Sequence, residues 1–389
     1  MNQYCCPVCE RTQLRSFLQR SKVPVHQNLV VSNQETALTV TSGALDLVVC
    51  ESCGFIFNQS FDLSLLNYGQ DYDNTQSCSA YFDAYLDGLV QDMVERQGVR
   101  NCTIVEVGCG KGHFLKKLVS YPGANNIGYG FDPSYIGPLT DLDGRLHFRA
   151  CYYDQSCTDI SADVVVCRHV IEHVPKPLEI LRSIRTALAS TPKARVFFET
   201  PCVEWILRNR VIWDFFYEHC SLFTAQSLRL AFQRTGFAVE RIEYTFGEQY
   251  LWLEAHVADV NETLPTANET LGLAIAYTVD EQRIQDAWLV RLHEIRQNGK
   301  VALWGAGAKG ATFANLADPQ GTLLDCVVDL NPNKQGCFIP GSGHPIVSPF
   351  DLPTRGVCDA ILMNPNYREE NLQLLTKAAI KVNLIDWSE

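Results

Sequence analysis

The chain has 389 residues, a length that favours two or three domains over a single core. Its composition, 46% hydrophobic and 20% charged, is that of a folded protein and excludes a disordered or fibrous one. A formal net charge of −12 argues against a sequence-independent hold on nucleic acid or an anionic membrane, so neither is expected as a partner. Met1–Glu10 has no positive start and no apolar core of signal-peptide length, and no run approaches about eighteen apolar residues; a cytoplasmic location is expected.

Residues 1–66 read as a small metal-stapled module. The sixteen cysteines, in a large chain with no signal peptide evident, are read as reduced thiols and metal ligands rather than disulfides. Cys6-Pro-Val-Cys9 and Cys50-Glu-Ser-Cys53-Gly54 supply four thiolates in two knuckles, the arrangement that closes a tetrahedral Zn2+ site with no open position. Such an ion is structural, and in a segment with little core its binding, worth roughly 10 kcal/mol, would supply much of the stability. Cys5 offers an alternative ligand, but Cys6 keeps the two-residue spacing.

Residues 67–260 read as an α/β domain. A polar, aromatic stretch around Tyr68, Tyr72 and Gln76 precedes a helix over Tyr81–Gln97. Strands are predicted at Thr103–Val107, Asn126–Phe131, Val164–Cys167 and Arg195–Glu199, alternating with helix-like segments and lying in one parallel sheet. Glu106-Val-Gly108-Cys-Gly110-Lys-Gly112 turns from the first strand into a helix, where glycines let the backbone approach a ligand closely. Asp132, at the end of the second strand, is placed to accept hydrogen bonds from ribose hydroxyls. These features describe an adenosyl-ribose site, and the glycines alone leave NAD and S-adenosylmethionine both open.

Further along, Phe215-Phe216-Tyr217-Glu218-His219 sets three polar tips behind an aromatic run, and Glu172-His173 follows the third predicted strand. After a polar linker, Asn261–Thr270, a helix is predicted around Asp280–Gln297. Residues 261–389 form a second α/β unit with strands at Val301–Trp304, Asp325–Asp329, Ala360–Met363 and Val382–Ile385. Here Gly305-x-Gly307-x-x-Gly310, with Asp329 some twenty residues on, repeats the dinucleotide-binding pattern. Read alone, that loop suggests NAD.

The run from Thr103 to Leu115, followed by Ala162–Val174, resembles the core of class I methyltransferases, and that selects S-adenosylmethionine as cofactor. Over nearly all 389 residues the chain resembles the sugar C-methyltransferases that act on nucleotide-linked 4-keto-deoxysugars. The resemblance is carried by the two cysteine knuckles, Tyr68–Gln76 with Ser79, the methyltransferase core, Tyr217-Glu218-His219, and Trp304–Gly310. It implies a Rossmann-like α/β methyltransferase core between a zinc-binding module and a C-terminal Rossmann-like domain. It further implies that Glu106, Gly108 and Gly110 line the methionine end of the cofactor, Asp132 holds its ribose, and Tyr153 flanks the adenine. Tyr68, Tyr72 and Gln76 would fold over it.

In that chemistry a ketone at carbon four acidifies the hydrogen on carbon three, and a histidine near neutral pKa can remove it. His219 is assigned as the base and Tyr217 as a donor to the developing oxyanion or the sugar. Glu218 is assigned as a sugar contact or orienter, these two roles being exchangeable; His173 either faces the pocket or caps a helix. Gly305, Gly307, Lys309, Gly310 and Asp329 are assigned to the phosphates of a dTDP- or GDP-type sugar. A monomer is expected. The rival readings are an oxygen- or nitrogen-directed methyltransferase, an NAD-dependent oxidoreductase or epimerase, and a zinc-dependent module without catalysis.

Overall fold

The computed structural model describes residues 4–66 and 78–387, apart from 155, 156, 158, 259, 261, 263 and 265–267. The first region holds β1 (Leu14–Pro24), α1 (Gln34–Leu38), β2 (Ser42–Cys50) and β3 (Ile56–Asn58). The second begins with α2 (Ala80–Gln91), β4 (Thr103–Val107), α3 (His113–Ser120), β5 (Ile127–Phe131), β6 (Thr140–Asp141), β7 (Leu146–Arg149) and β8 (Val164–Arg168). It continues with α4 (Pro177–Ala187), β9 (Arg195–Pro201), α5 (Val203–Arg208), β10 (Ser221–Leu222), α6 (Ala225–Gln233), β11 (Phe237–Thr245) and β12 (Tyr250–Val257). The third opens on α7 (Asn268–Ile295), then β13 (Lys300–Trp304), α8 (Ala308–Ala317), β14 (Leu324–Val328) and β15 (Ile346–Val347). It closes with α9 (Leu352–Arg355), β16 (Val357–Leu362), α10 (Arg368–Lys377) and β17 (Asn383–Asp386).

The central sheet has the order β11-β12-β9-β8-β4-β5-β7-β6. Its middle strands are parallel, as β-rich runs joined by helices demand, while β12 enters antiparallel to β9 and pairs β11 antiparallel. The sheet is therefore mixed rather than wholly parallel. The difference arises because β11 and β12 are joined by a tight turn through Phe246, Gly247 and Glu248, all at positive φ, which leaves no room for a crossover helix. Helices α4 and α6 cover one face around Val105, Val165 and Phe198, and α2 and α3 cover the other around Ile104, Val164 and Val166. The C-terminal sheet, β15-β14-β13-β16-β17, is parallel throughout. In both sheets the chain reverses its winding beside the first strand, between β4 and β8 and between β13 and β16, which opens a crevice at the carboxyl ends.

The N-terminal region is less independent than its size suggests. Its antiparallel sheet takes its last strand, β10, from the second region. Its inner face shares one continuous core with both neighbours, through Phe17, Leu45 and Leu47, then Trp213 and Phe215, then Val301 and Phe313. The helix expected from Asp280 starts already at Asn268, and Leu271, Ala274, Tyr277 and Ile284 pack on that core at helical spacing. Among the described residues no helix is long and apolar enough to cross a membrane.

Contacts from the C-terminal region also finish the methyltransferase-like sheet's first helix. Ser79 caps α2 by accepting from the Phe82 N–H, and Glu370 of α10 accepts from the Ser79 hydroxyl at 2.6 Å and the Ala80 N–H at 2.7 Å. Removing that carboxylate with Glu370→Ala should cost about 1 kcal/mol, read as a thermal midpoint a few degrees lower, with Glu370→Gln keeping part of the loss back. An unchanged midpoint for the alanine variant would show that the contact contributes nothing to stability.

Candidate active site

The first glycine-rich loop leaves β4 and enters α3. Gly108, Gly110 and Gly112 all have positive φ. A Cβ on Gly108 would lie 2.1 Å from Val170 and one on Gly112 2.4 Å from Phe148, whereas one on Gly110 would meet nothing within 4 Å. The loop is thus packed on its inner side and open at Gly110, as a cradle for a ligand must be. Asp132 holds it in shape: its carboxylate accepts from the Gly110 N–H at 2.8 Å and, on its other oxygen, from the Ser134 N–H and hydroxyl. Glu106 lies buried beneath and accepts from the Leu115 N–H in the first turn of α3. Burial pushes its pKa up to about 8, against the pull of the Arg168 cation. Tyr153 packs edge-on against Phe131 at 5.1 Å between ring centres. Tyr68, Tyr72 and Gln76 lie outside the described residues.

A cavity of about 270 Å³ opens at the seam between this core and the C-terminal sheet. It is lined on one side by His169, Glu172, His173, Asp214, Phe216 and His219, and on the other by Gly305, Gly307, Lys309, Gly310 and Asp329. Glu106, Gly108, Gly110, Asp132 and Tyr153 are not among its lining residues. The His173 and His219 rings stand perpendicular at 4.8 Å, and the ligating atoms of Glu172, His173 and His219 all lie within 4.8 Å of one another. Burial, with His173, His169 and Lys309 nearby, holds the His219 imidazole well below the usual histidine pKa, so it is neutral at pH 7. Its Nδ1 is buried without a hydrogen-bond partner among the described residues.

Two of the assigned residues face elsewhere. Tyr217 is fully buried away from the cavity, where its hydroxyl accepts from the Asp62 N–H at 2.8 Å and its ring packs on Phe61. Glu218 accepts from the Gln27 N–H at 3.0 Å and lies 3.2 Å from His26 Nδ1. Neither is in reach of a ligand in the cavity, so Tyr217 is no oxyanion donor and Glu218 no sugar contact. The reason is local: residues 217 and 218 form a turn, which sends Phe216 and His219 to one side and the two between them to the other.

The loop after β8 carries a buried charge network. Glu199 accepts from Arg168 Nε at 2.8 Å and pairs with His169 at 3.2 Å, and the Tyr85 hydroxyl donates to its other oxygen. Burial opposes charge on Glu199, yet Arg168 and His169 hold it down at about 2. Burial likewise opposes charge on His169, but Glu172 at 3.3 Å and Glu199 lift it to about 9. No spacing rule reveals such a network, because its members come from four separate elements.

At the second loop, Gly310 is required by contact: a Cβ there would sit 1.8 Å from the Gly305 carbonyl oxygen. Asp329 repeats the role of Asp132, accepting from the Ala306 N–H and the Asn331 N–H, each at 2.8 Å. Lys309 pairs with Asp214 at 2.9 Å and donates to Gln249. Lys334 is buried in the cavity wall and donates to Asn28 and to the Ala306 carbonyl.

In the N-terminal region the four assigned cysteines converge. Cys6 and Cys53 sulfurs are 3.6 Å apart and Cys9 and Cys50 3.4 Å, with all four within 4.8 Å. A tetrahedron with zinc–sulfur bonds of about 2.3 Å has edges of about 3.8 Å, so the quartet fits such an ion. Cys5 is exposed and outside the cluster.

Residues 80–242 match the methyltransferase domain family, and residues 267–380 match the C-methyltransferase C-terminal domain. The C-methyltransferase NovU of Streptomyces niveus is 26% identical over 88% of this chain and 85% of its own length. A ubiquinone biosynthesis O-methyltransferase of Pseudomonas paraeruginosa is 30% identical over only 27% of this chain and 47% of its own. Magnesium protoporphyrin IX methyltransferase from Synechocystis, solved with bound S-adenosylhomocysteine, has 19% identity and a TM-score of 0.35 over 46% of this chain and 84% of that one. The strand order and the matched domains define a class I, S-adenosylmethionine-dependent methyltransferase. Within that class, the chain carries the methyltransferase domain followed by the C-methyltransferase C-terminal domain.

The buried Glu106 gives this site a pH signature. A carboxyl raised from 4.5 to about 8 on folding binds a proton in the native state that the unfolded chain has released. Its contribution to stability is whole below pH 4.5 and is lost as pH rises through about 8. Urea midpoints of Glu106→Gln should accordingly lack that decline across the window; a variant that declines as steeply as the parent would place the proton elsewhere.

Proposed function

We propose that the enzyme transfers the methyl group of S-adenosylmethionine to carbon three of a nucleotide-linked 4-keto-deoxysugar of the dTDP or GDP type. The observation that carries this reading is that His219 and the second glycine loop line one cavity. An acceptor with an acidic C–H at one end and a diphosphate at the other matches a neutral imidazole at one wall and two buried-side lysines, Lys309 and Lys334, at the other. The C-methyltransferase relative, aligned along most of its length, supports carbon as the methylated atom.

His219 removes the proton from carbon three, and the Glu172 carboxylate within 4.8 Å of it favours the imidazolium that results, while the His173 ring stands perpendicular beside it. The second-loop backbone, the start of α8 and the two lysines hold the diphosphate. Asp214 keeps Lys309 extended toward the cavity while it waits. S-adenosylmethionine supplies, when bound, the electrophilic methyl group; the open face at Gly110 and the Asp132 carboxylate are the groups that would hold it. The four-cysteine cluster would hold a structural zinc ion, tying Cys50 at the end of β2 and Cys53 to Cys6 and Cys9.

The full-length protein is to be incubated with S-adenosylmethionine and a panel of nucleotide-linked 4-keto-6-deoxysugars in deuterated water, with products weighed by mass spectrometry. Gain of one methyl group is expected, falling by at least about a hundredfold in His219→Asn. Absence of a methyl gain with every sugar, despite bound cofactor, would remove the sugar reading; full activity of the variant would remove the base.

Metal analysis should find one zinc per chain, and Cys53→Ser or a strong chelator should lower the unfolding midpoint sharply. Purified, folded protein free of zinc would refute the structural ion.

A further inference from the structure

On α10 the buried positions are Asn371 and Leu375, one turn apart on the same face. An amide at a core position of a helix is out of keeping with its neighbour, since asparagine is a poor helix former and leucine there would simply pack. Asn371 is only 2% exposed, and its Oδ1 has no hydrogen-bond partner among the described residues. Buried acceptors in native proteins are met by protein, by ordered water or by a ligand. Asn371 lines the cavity, together with Tyr367, Asn364 and Met363 from the segment after β16. That segment and the Gly305 loop after β13 flank the point where the C-terminal sheet reverses its winding, the crevice in which α/β sheets take nucleotides.

Resting on the sugar-nucleotide reading above, we propose that Asn371 reads the nucleobase, its Oδ1 accepting the ring N–H that lies beside a carbonyl in thymine, uracil and guanine. Those bases place a donor there. Cytosine and adenine present a bare ring nitrogen at the same edge, and two acceptors would then face each other at a buried amide. Asn371 thus restricts the carrier to the three bases with that N–H, and the second loop with Lys309 and Lys334 contributes the diphosphate part of the binding without distinguishing among them.

The test is calorimetric titration of the full-length enzyme with dTDP, UDP, GDP, CDP, ADP and inorganic pyrophosphate, repeated with Asn371→Leu. At least one of dTDP, UDP and GDP should bind about tenfold or more tighter than CDP and ADP, and the best of them names the carrier. In the leucine variant that preference should vanish while pyrophosphate binds as before, and the ligand-free variant should melt no lower than the parent, because no protein hydrogen bond to Oδ1 is lost. Equal binding of all five nucleotides, tighter binding of CDP or ADP, or a preference that survives Asn371→Leu overturns the proposal and leaves the diphosphate site standing. Failure of every nucleotide and of pyrophosphate to bind overturns the sugar-nucleotide reading, and the base assignment with it. The parent panel decides the matter even where the leucine variant does not fold.

Discussion

One buried guanidinium joins the regions on which the cavity depends. Arg20, on β1, donates to Glu281 of α7 at 2.9 Å, to the Phe215 carbonyl at 2.8 Å and to the Ile212 carbonyl at 2.5 Å. A charge taken out of water is tolerated only when its donors are met, so the partners must stay where they are. Phe17, Phe215 and Tyr277 close around the group edge to edge, with ring centres 5.2 to 6.0 Å apart. The segment held in this way carries Asp214, Phe216 and His219 to the cavity. It belongs to the methyltransferase domain by sequence and to the shared core of all three regions by packing. This explains how the N-terminal region bears on the cavity: it supplies the arginine, and its residues 26 and 27 receive Glu218, the neighbour of His219.

The two glycine loops solve the same backbone problem in the same way and then diverge in charge. In each, an aspartate at the end of the second strand accepts one N–H from the loop and one from the turn that follows it, through Asp132 in one case and Asp329 in the other. Around the first loop lies the Asp132 carboxylate, with Glu106 beneath it protonated at pH 7; around the second lie Lys309 and Lys334. Under the proposed function the first receives a cationic sulfonium and the second an anionic diphosphate, so the electrostatics sort two ligands that both contain a nucleoside. A glycine pattern carries no information about that sorting, which is why the second loop, read by itself, pointed to NAD.

What the sequence made legible follows from where one physical effect dominates. β4 and β13 were placed within a residue because an unbroken apolar run ending in a glycine turn has few other solutions, and the cysteine quartet was evident from two matched spacings. The β1–β2 hairpin was not anticipated, since its inward residues pack on partners some two hundred or more positions away and its pattern is interrupted by register shifts. Tyr217 and Glu218 were assigned to the cavity because three polar residues in a row were treated as one unit. A turn does not preserve a common direction, and only His219 of the three reaches the site. Asn371 escaped notice for the complementary reason: it is a lone polar residue whose meaning comes from the seam between domains, which exists only in three dimensions.

The chemistry assigned to His219 raises a question of strength, because burial makes it a weaker base than free imidazole. A weak base suits a carbon acid only when the charge created by proton transfer is stabilised as it forms. Glu172 stands within 4.8 Å for that purpose, and it is itself held by the Thr200 hydroxyl and the cationic His169. Part of the depression also comes from the Lys309 cation across the cavity. A diphosphate bound at Lys309 would offset that charge, so the occupied site has the stronger base. Under the proposed function, the position of Lys309 between Asp214 and the cavity does two things at once: it holds the anionic end of the acceptor and keeps His219 less basic until that end has arrived.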